Sequence, residues 1–132
     1  MTNYFTKAEL EDPWTHEVFL AEGAQDRFNL FREKLGFPVY VNCCCRSSLY
    51  NTSIGGHPNS FHLMENNKWK VKGTIALDAS TRKYTLYQRE KFIYESSLMG
   101  FSLGIYNNFI HIDQRTFYTE LPQVIFNGML GK

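Results

Sequence analysis

The stretch from Ala24 to Leu35 limits the fold more than any other part of this chain. Phe28, Phe31 and Leu35 recur at i, i+3 and i+7, which stacks them on one face of an α-helix, with Leu30 flanking the stripe. Asp26, Arg27, Arg32, Glu33 and Lys34 are left for the wet side. Gly36 fits a C-terminal stop, and Pro38 follows it. A helix with one apolar face needs another layer to cover that face. Strand-like segments supply one. Val39-Tyr40-Val41 opens a strand rich in β-branched and aromatic residues that runs into the cysteines. Thr74 to Asp78 reads as a second strand and Phe109 to Asp113 as a third. Lys83 to about Met99 reads as a further helix, and Thr6 caps a single helical turn near Lys7 to Leu10. Ser47 to about Ser60 carries loop chemistry, with Gly55-Gly56 and Pro58 at its centre. The expected class is α+β: a small, mainly antiparallel sheet flanked by helices.

A length of 132 residues allows one domain, 1–132. The 14 basic and 13 acidic residues leave a net charge of +1, which removes the electrostatic case for a nucleic-acid or anionic-membrane partner. No apolar run is long enough for a membrane span. The opening residues lack the basic segment and apolar stretch of a signal peptide, so the chain as written is expected to stay in the cytoplasm unless something releases it. Cys43, Cys44 and Cys45 are consecutive, a poor disulfide framework without the spacing of a zinc knuckle. They read as reduced, mostly buried thiols that pack as small hydrophobes. Nothing in the sequence fixes an oligomeric state.

Three polar groups stand where strands or loops end: His62, Asp78 and His111. Two imidazoles and a carboxylate form a competent zinc set that leaves a fourth position open, the catalytic rather than the structural arrangement. Spacing alone does not make the case, because fifteen residues separate His62 from Asp78 and no H-E-x-x-H occurs. The surrounding residues add to it. Arg46, the Tyr50-Asn51 pair, Gly55-Gly56, the Asn59-Ser60-Phe61-His62-Leu63 segment, Ala76-Leu77-Asp78 and Phe109-Ile110-His111-Ile112-Asp113-Gln114-Arg115 occur in that order.

In that order they resemble the zinc D-alanyl-D-alanine carboxypeptidase family, which includes L-alanyl-D-glutamate endopeptidases and shares its fold with the hedgehog signalling domain. Tyr4-Phe5-Thr6 and Glu9-Leu10 resemble the family's opening, so the likeness covers roughly residues 4–115. It implies a hedgehog/DD-peptidase-like fold. It also implies one Zn²⁺ ion on His62, Asp78 and His111, and hydrolysis of a peptide bond in peptidoglycan peptides, by carboxypeptidase or endopeptidase action. Arg46 then meets the carboxylate or carbonyl of the substrate, which suits a guanidinium fork. Ser60 sits beside the metal and bonds substrate, or else satisfies a local turn. Arg115 has no firm role and reads as a surface salt bridge. By analogy, a compact peptidase without a signal peptide suits a phage lysis product or a prophage gene, acting on the cell wall once released.

The chain departs from the family in two places. The family normally places far fewer residues between the first histidine and the aspartate, so residues 64–73 read as an inserted loop. Hairpin arms around Asn66-Asn67 fit its pattern. Such a loop either covers the cleft or is a neutral surface excursion, and the second is the slightly preferred expectation. The general base is the other departure. Several relatives carry an acid three positions before the last histidine, where this chain has Asn108, an amide that cannot take a proton. Asp113 shares a strand face with His111, about 7 Å along the strand, and is expected to act as base or to orient His111. Glu95 and Tyr106 are weaker candidates, and His57 is an exposed loop histidine or lines the cleft. A rival reading is a domain, with or without zinc, that binds wall peptides or a protein partner without cutting. A serine hydrolase built on Gly100-Phe101-Ser102-Leu103-Gly104 is disfavoured: the preceding stretch reads as helix, and the pentapeptide is expected to be a loop. Residues 116–132 extend past the resemblance, and Leu121, Val124, Ile125 and Met129 either pack back or serve a partner.

Overall fold

The computed structural model describes residues 2–128. In chain order the elements are α1 (Lys7–Leu10), α2 (Ala24–Leu35), β1 (Tyr40–Cys43), α3 (Ser48–Ser53), β2 (Glu65–Asn66), β3 (Val71–Lys72), β4 (Ala76–Ser80), α4 (Leu86–Leu98), β5 (Ser102–Ile105), β6 (Phe109–Asp113), α5 (Arg115–Tyr118) and β7 (Ile125–Asn127). Five strands form one sheet in the order β1-β4-β6-β5-β7, and β2 pairs with β3 in a separate hairpin. Every pairing in the main sheet is antiparallel except that of β5 with β7. The mixed architecture, a small sheet flanked by helices, is the expected one.

The helix ends follow local chemistry. Thr6 and Glu9 form a capping box at the start of α1. Gly36, at φ +78°, ends α2 by donating its N–H to the Arg32 carbonyl. The second long helix starts at Leu86 rather than Lys83, because Thr85 and Gln88 form the capping box there. Two expectations need correction. The stretch after Ser47 is not all loop: the Ser47 hydroxyl accepts from the Tyr50 N–H and starts the short helix α3. Residues 102–105 are a strand rather than a loop, paired on both sides. The segment after Phe117, left open by the sequence, contributes β7, with Leu121 packed against a second buried cluster that includes Ala24, Phe61, Val71 and Ile75, and with Ile125 exposed; Met129 lies outside the described residues.

Side-chain alternation divides the sheet into two faces. Leu77 and Ala79 of β4, Ile110 and Ile112 of β6 and Leu103 of β5 turn to one side, where Phe28, Phe31 and Leu35 of α2 and Phe92 of α4 complete the main core. Phe31 is the hub. Its ring meets Phe92 edge-on at 4.9 Å and Phe101 at 5.8 Å. Asp78 and His111, one residue out of phase, face the other side. Their register is direct, and the pairings extend it into a row across the sheet: Cys43, Asp78, His111, Gly104 and Phe126. A register irregularity between Val41 and Cys43 in β1 brings Cys43 opposite Asp78.

Phe31→Ala removes that hub and is expected to lower unfolding free energy by about 3–5 kcal/mol in urea titration. Leu30→Ala, on the wet side of the same helix, is expected to cost under about 1 kcal/mol.

Candidate metal centre

His62 and His111 come from different elements and converge on one atom. Nε2 of His62 lies 3.0 Å from Oδ1 of Asp78, and Nδ1 of His111 lies 2.9 Å from the same oxygen. The rings stand edge to face, 5.2 Å apart. Asp78 and His111 are brought together by strand register. His62 arrives from the loop before β2, held by backbone bonds: its carbonyl accepts from the N–H of Arg46 and the hydroxyl of Thr74. Ser60, expected beside the metal or in a turn, accepts from the His62 N–H at 3.1 Å and also lines the cleft.

The opposite ring nitrogens fix the tautomers. Nδ1 of His62 is 2.8 Å from the Cys44 carbonyl, which can only accept, so that nitrogen carries the hydrogen. Nε2 of His111 is 2.8 Å from Oδ2 of Asp113, and Arg115 clamps that carboxylate through its Nε and Nη2 at 2.9 and 2.8 Å, so Nε2 of His111 is likewise a donor. Both remaining nitrogens then aim lone pairs at a carboxylate oxygen whenever the rings are neutral. Such an arrangement is repulsive unless each ring takes a second proton or a cation sits among the three groups. Two imidazole nitrogens and a carboxylate oxygen, with their outer hydrogens already committed, suit zinc. Among the described residues the group whose ligand atoms all lie within 4.8 Å of one another is Cys43, His62 and Asp78, which shares two members with that set and has the Cys43 thiol in place of His111.

The titration behaviour follows this geometry. Burial pushes the His62 imidazolium down, but the Asp78 carboxylate outweighs it and holds the pKa at about 10. Burial also opposes protonation of His111, and its hydrogen bonds to Asp113 and Asp78 raise it nonetheless. Asp78 is penalised by burial yet held well below the carboxylate range by the two histidines. Asp113 is buried too, and Arg115 and His111 bring it to about 2.

Several neighbours were not legible in the sequence. Arg46 is oriented by Cys43 and Asn51: its Nε donates to the thiol sulfur at 3.1 Å and its Nη1 to Oδ1 of Asn51 at 3.1 Å. Its Nη2 lies 3.8 Å from Asp78. Cys43 therefore does more than pack, whereas Cys44 and Cys45 are buried as expected. Arg115 is not a surface salt bridge, since its partner Asp113 is fully buried. Asp113 itself occupies the orienting position and is not exposed to the cleft. Asn108 is exposed in the turn between β5 and β6.

The three groups open into a cleft of about 730 Å³. Arg46 and Ser60 line it, as do His57, Lys68, Tyr106 and Phe126. Phe126 lies over Gly104, where a Cβ would come within 2.5 Å of the ring. Residues 64–73 form the expected hairpin, with its turn over residues 67–70, and it reaches the cleft instead of being a neutral excursion.

Residues 3–113 match the family model described as Peptidase M15. This chain belongs to the peptidase M15 family. Its members are zinc-dependent metallopeptidases, and the donor set described above is one that zinc accepts. No curated protein and no solved structure is similar enough to this chain to count as a match. Among the described residues no helix is long and apolar enough to cross a membrane.

Because the His62 imidazole of the metal-free protein keeps its second proton up to about pH 10, and Asp113 and Asp78 raise the pKa of His111 as well, zinc must displace protons to bind. Zinc binding at pH 7.5 is expected to release about one to two protons, read by titration calorimetry in buffers of different ionisation enthalpy, and to tighten as pH rises. The His62 contribution to metal-free stability has the sign of a raised pKa. It is complete below the unfolded value of about 6.5 and is lost as pH climbs through about 10, which thermal unfolding across that range checks.

Proposed function

We propose that this M15 chain hydrolyses a peptide bond in bacterial cell-wall peptides, with one zinc ion held by His62, Asp78 and His111. The observation that carries the reading is the convergence of two tautomer-locked imidazoles on one oxygen of Asp78, within a family of zinc peptidases. Zinc, when bound, supplies Lewis acidity and makes a water nucleophilic near neutral pH. Everything else falls to the chain. Cys44 and Asp113 hold the two rings at the angles that aim their lone pairs inward. Arg46, fixed by Cys43 and Asn51, presents its remaining N–H groups to a carboxylate or carbonyl of the substrate. Asp113 is assigned as a positioning residue rather than the base, because its carboxylate is buried, clamped by Arg115 and ionised down to about pH 2. Whether the cut falls at a chain terminus or inside it, Arg46 serves either geometry.

One observation favours a second reading, a domain that binds wall peptides without cutting them. Among the described residues lining the cleft, Asp78 is the only carboxylate, and it is a proposed ligand. A peptidase built this way needs another proton acceptor.

Incubating the zinc-loaded protein with purified peptidoglycan is expected to produce new amino termini, and a chelator or His62→Ala is expected to abolish them. Retention on peptidoglycan without new termini would establish the second reading instead. Asp113→Asn is expected to weaken zinc binding about 10- to 100-fold. Its turnover should recover when zinc is saturating, because the residue positions His111. A kcat that stays low at saturating zinc would make Asp113 the base.

A further inference from the structure

The hairpin β2–β3 is built rigidly into the rim of the cleft. Asn66 is 2% exposed, and its amide donates to the carbonyl of Asn59 at 2.8 Å and to that of Ser60 at 3.3 Å, while its oxygen accepts from the Trp69 N–H at 3.1 Å. These bonds tie the hairpin turn to the segment that leads into His62. The turn itself places Lys70 at φ +57°, and at its far end Gly73 sits at φ +95°, with the Ala21 backbone where a side chain would be. These bonds fix the backbone from which Lys68 and Trp69 reach the wall of the cleft.

The charge balance of the cleft says what Lys68 can do there. Arg115 is neutralised by Asp113 at two points, and Arg46 lies beside Asp78. Among the described residues no carboxylate lies within ion-pair distance of Lys68, and its ammonium rests 5.3 Å from the Trp69 ring centroid. It is a cation at the cleft without a carboxylate partner among the described residues, whereas Arg115 and Arg46 each have a carboxylate within 4 Å. We propose that Lys68 is a specificity-determining residue that pairs with a carboxylate of the substrate distinct from the group Arg46 takes, so that the preferred substrate is an acidic peptide. This rests on the peptide-binding reading of the cleft, and the experiment separates the two.

The probes are two synthetic wall stem peptides that differ only at the α-carboxylate of the D-glutamate residue, free in one and amidated in the other. Binding to the zinc-loaded protein is measured by calorimetry, and cleavage by release of amino termini. The wild-type protein is expected to favour the free carboxylate by about 5- to 20-fold in Kd and in KM, with kcat little changed. Lys68→Ala should remove that preference and Lys68→Arg should keep most of it. Equal binding of both peptides by the wild type, or a preference that survives Lys68→Ala, overturns the assignment. Cleavage without preference defeats this inference and leaves the peptidase reading intact. Preference without cleavage does the reverse. Failure of both peptides to bind overturns both.

Discussion

One oxygen of Asp78 is the point on which the rest of this structure is organised. Two ring nitrogens approach it within 3.0 Å, and the groups behind them leave no freedom to turn away. A buried carboxylate flanked by two imidazoles is costly to desolvate, and the cost is offset only when positive charge is shared among them. In the metal-free protein that charge is protons, and in a loaded one it is the cation. The outer bonds are as much a part of this as the inner ones. Without the Cys44 carbonyl and the Asp113 carboxylate, either ring could flip its tautomer and present a hydrogen where a lone pair is needed.

The sheet makes the site possible by geometry alone. Antiparallel pairing sets Asp78 directly opposite His111, and alternation sends both to the face that the helices leave open. On the far face the same strands deliver Leu77, Ile110 and Ile112 to the aromatic core, so the proposed ligands and the packing residues are interleaved along the same backbone. Gly104 continues the row without a side chain, and that space lets Phe126 of the terminal parallel strand lie over the sheet and form part of the wall.

How much of this was legible in the sequence depended on whether the signal was local. Helix α2 could be read to the residue because its stripe, its wet face and Gly36 agree. Strand β6 was equally plain from alternation. Helix α3 was hidden because Ser47, Asn51, Thr52 and Ser53 have the composition of a loop, and only the capping bond at Ser47 reveals a turn of helix. Strand β5 was hidden by Gly100 before it and Gly104 within it, the second accepted inside the sheet because the Phe126 ring needs the room. The proposed ligands were found through their flanking motifs, since no periodicity connects positions 62, 78 and 111. The sequence offered Asp113 as base or as the partner that orients His111, and what it did not show is the Arg115 side chain folded back on that carboxylate, a bond from one strand end to the next helix that no spacing rule encodes. The reach of Lys68 and Trp69 into the cleft likewise depended on the buried amide of Asn66, a polar residue whose letter alone suggests solvent.

The base of the hairpin carries one more consequence. The N–H of Gly73 closes on the carbonyl of Met64 at 2.8 Å, so the two ends of the insertion lie side by side. Only the outer turn, residues 67–70, lies beyond the buried Asn66 and Val71, so it is the part that can change in length or composition while the arms stay anchored to the framework. A change confined to that turn would reshape the rim of the cleft and leave the strands beneath it in register.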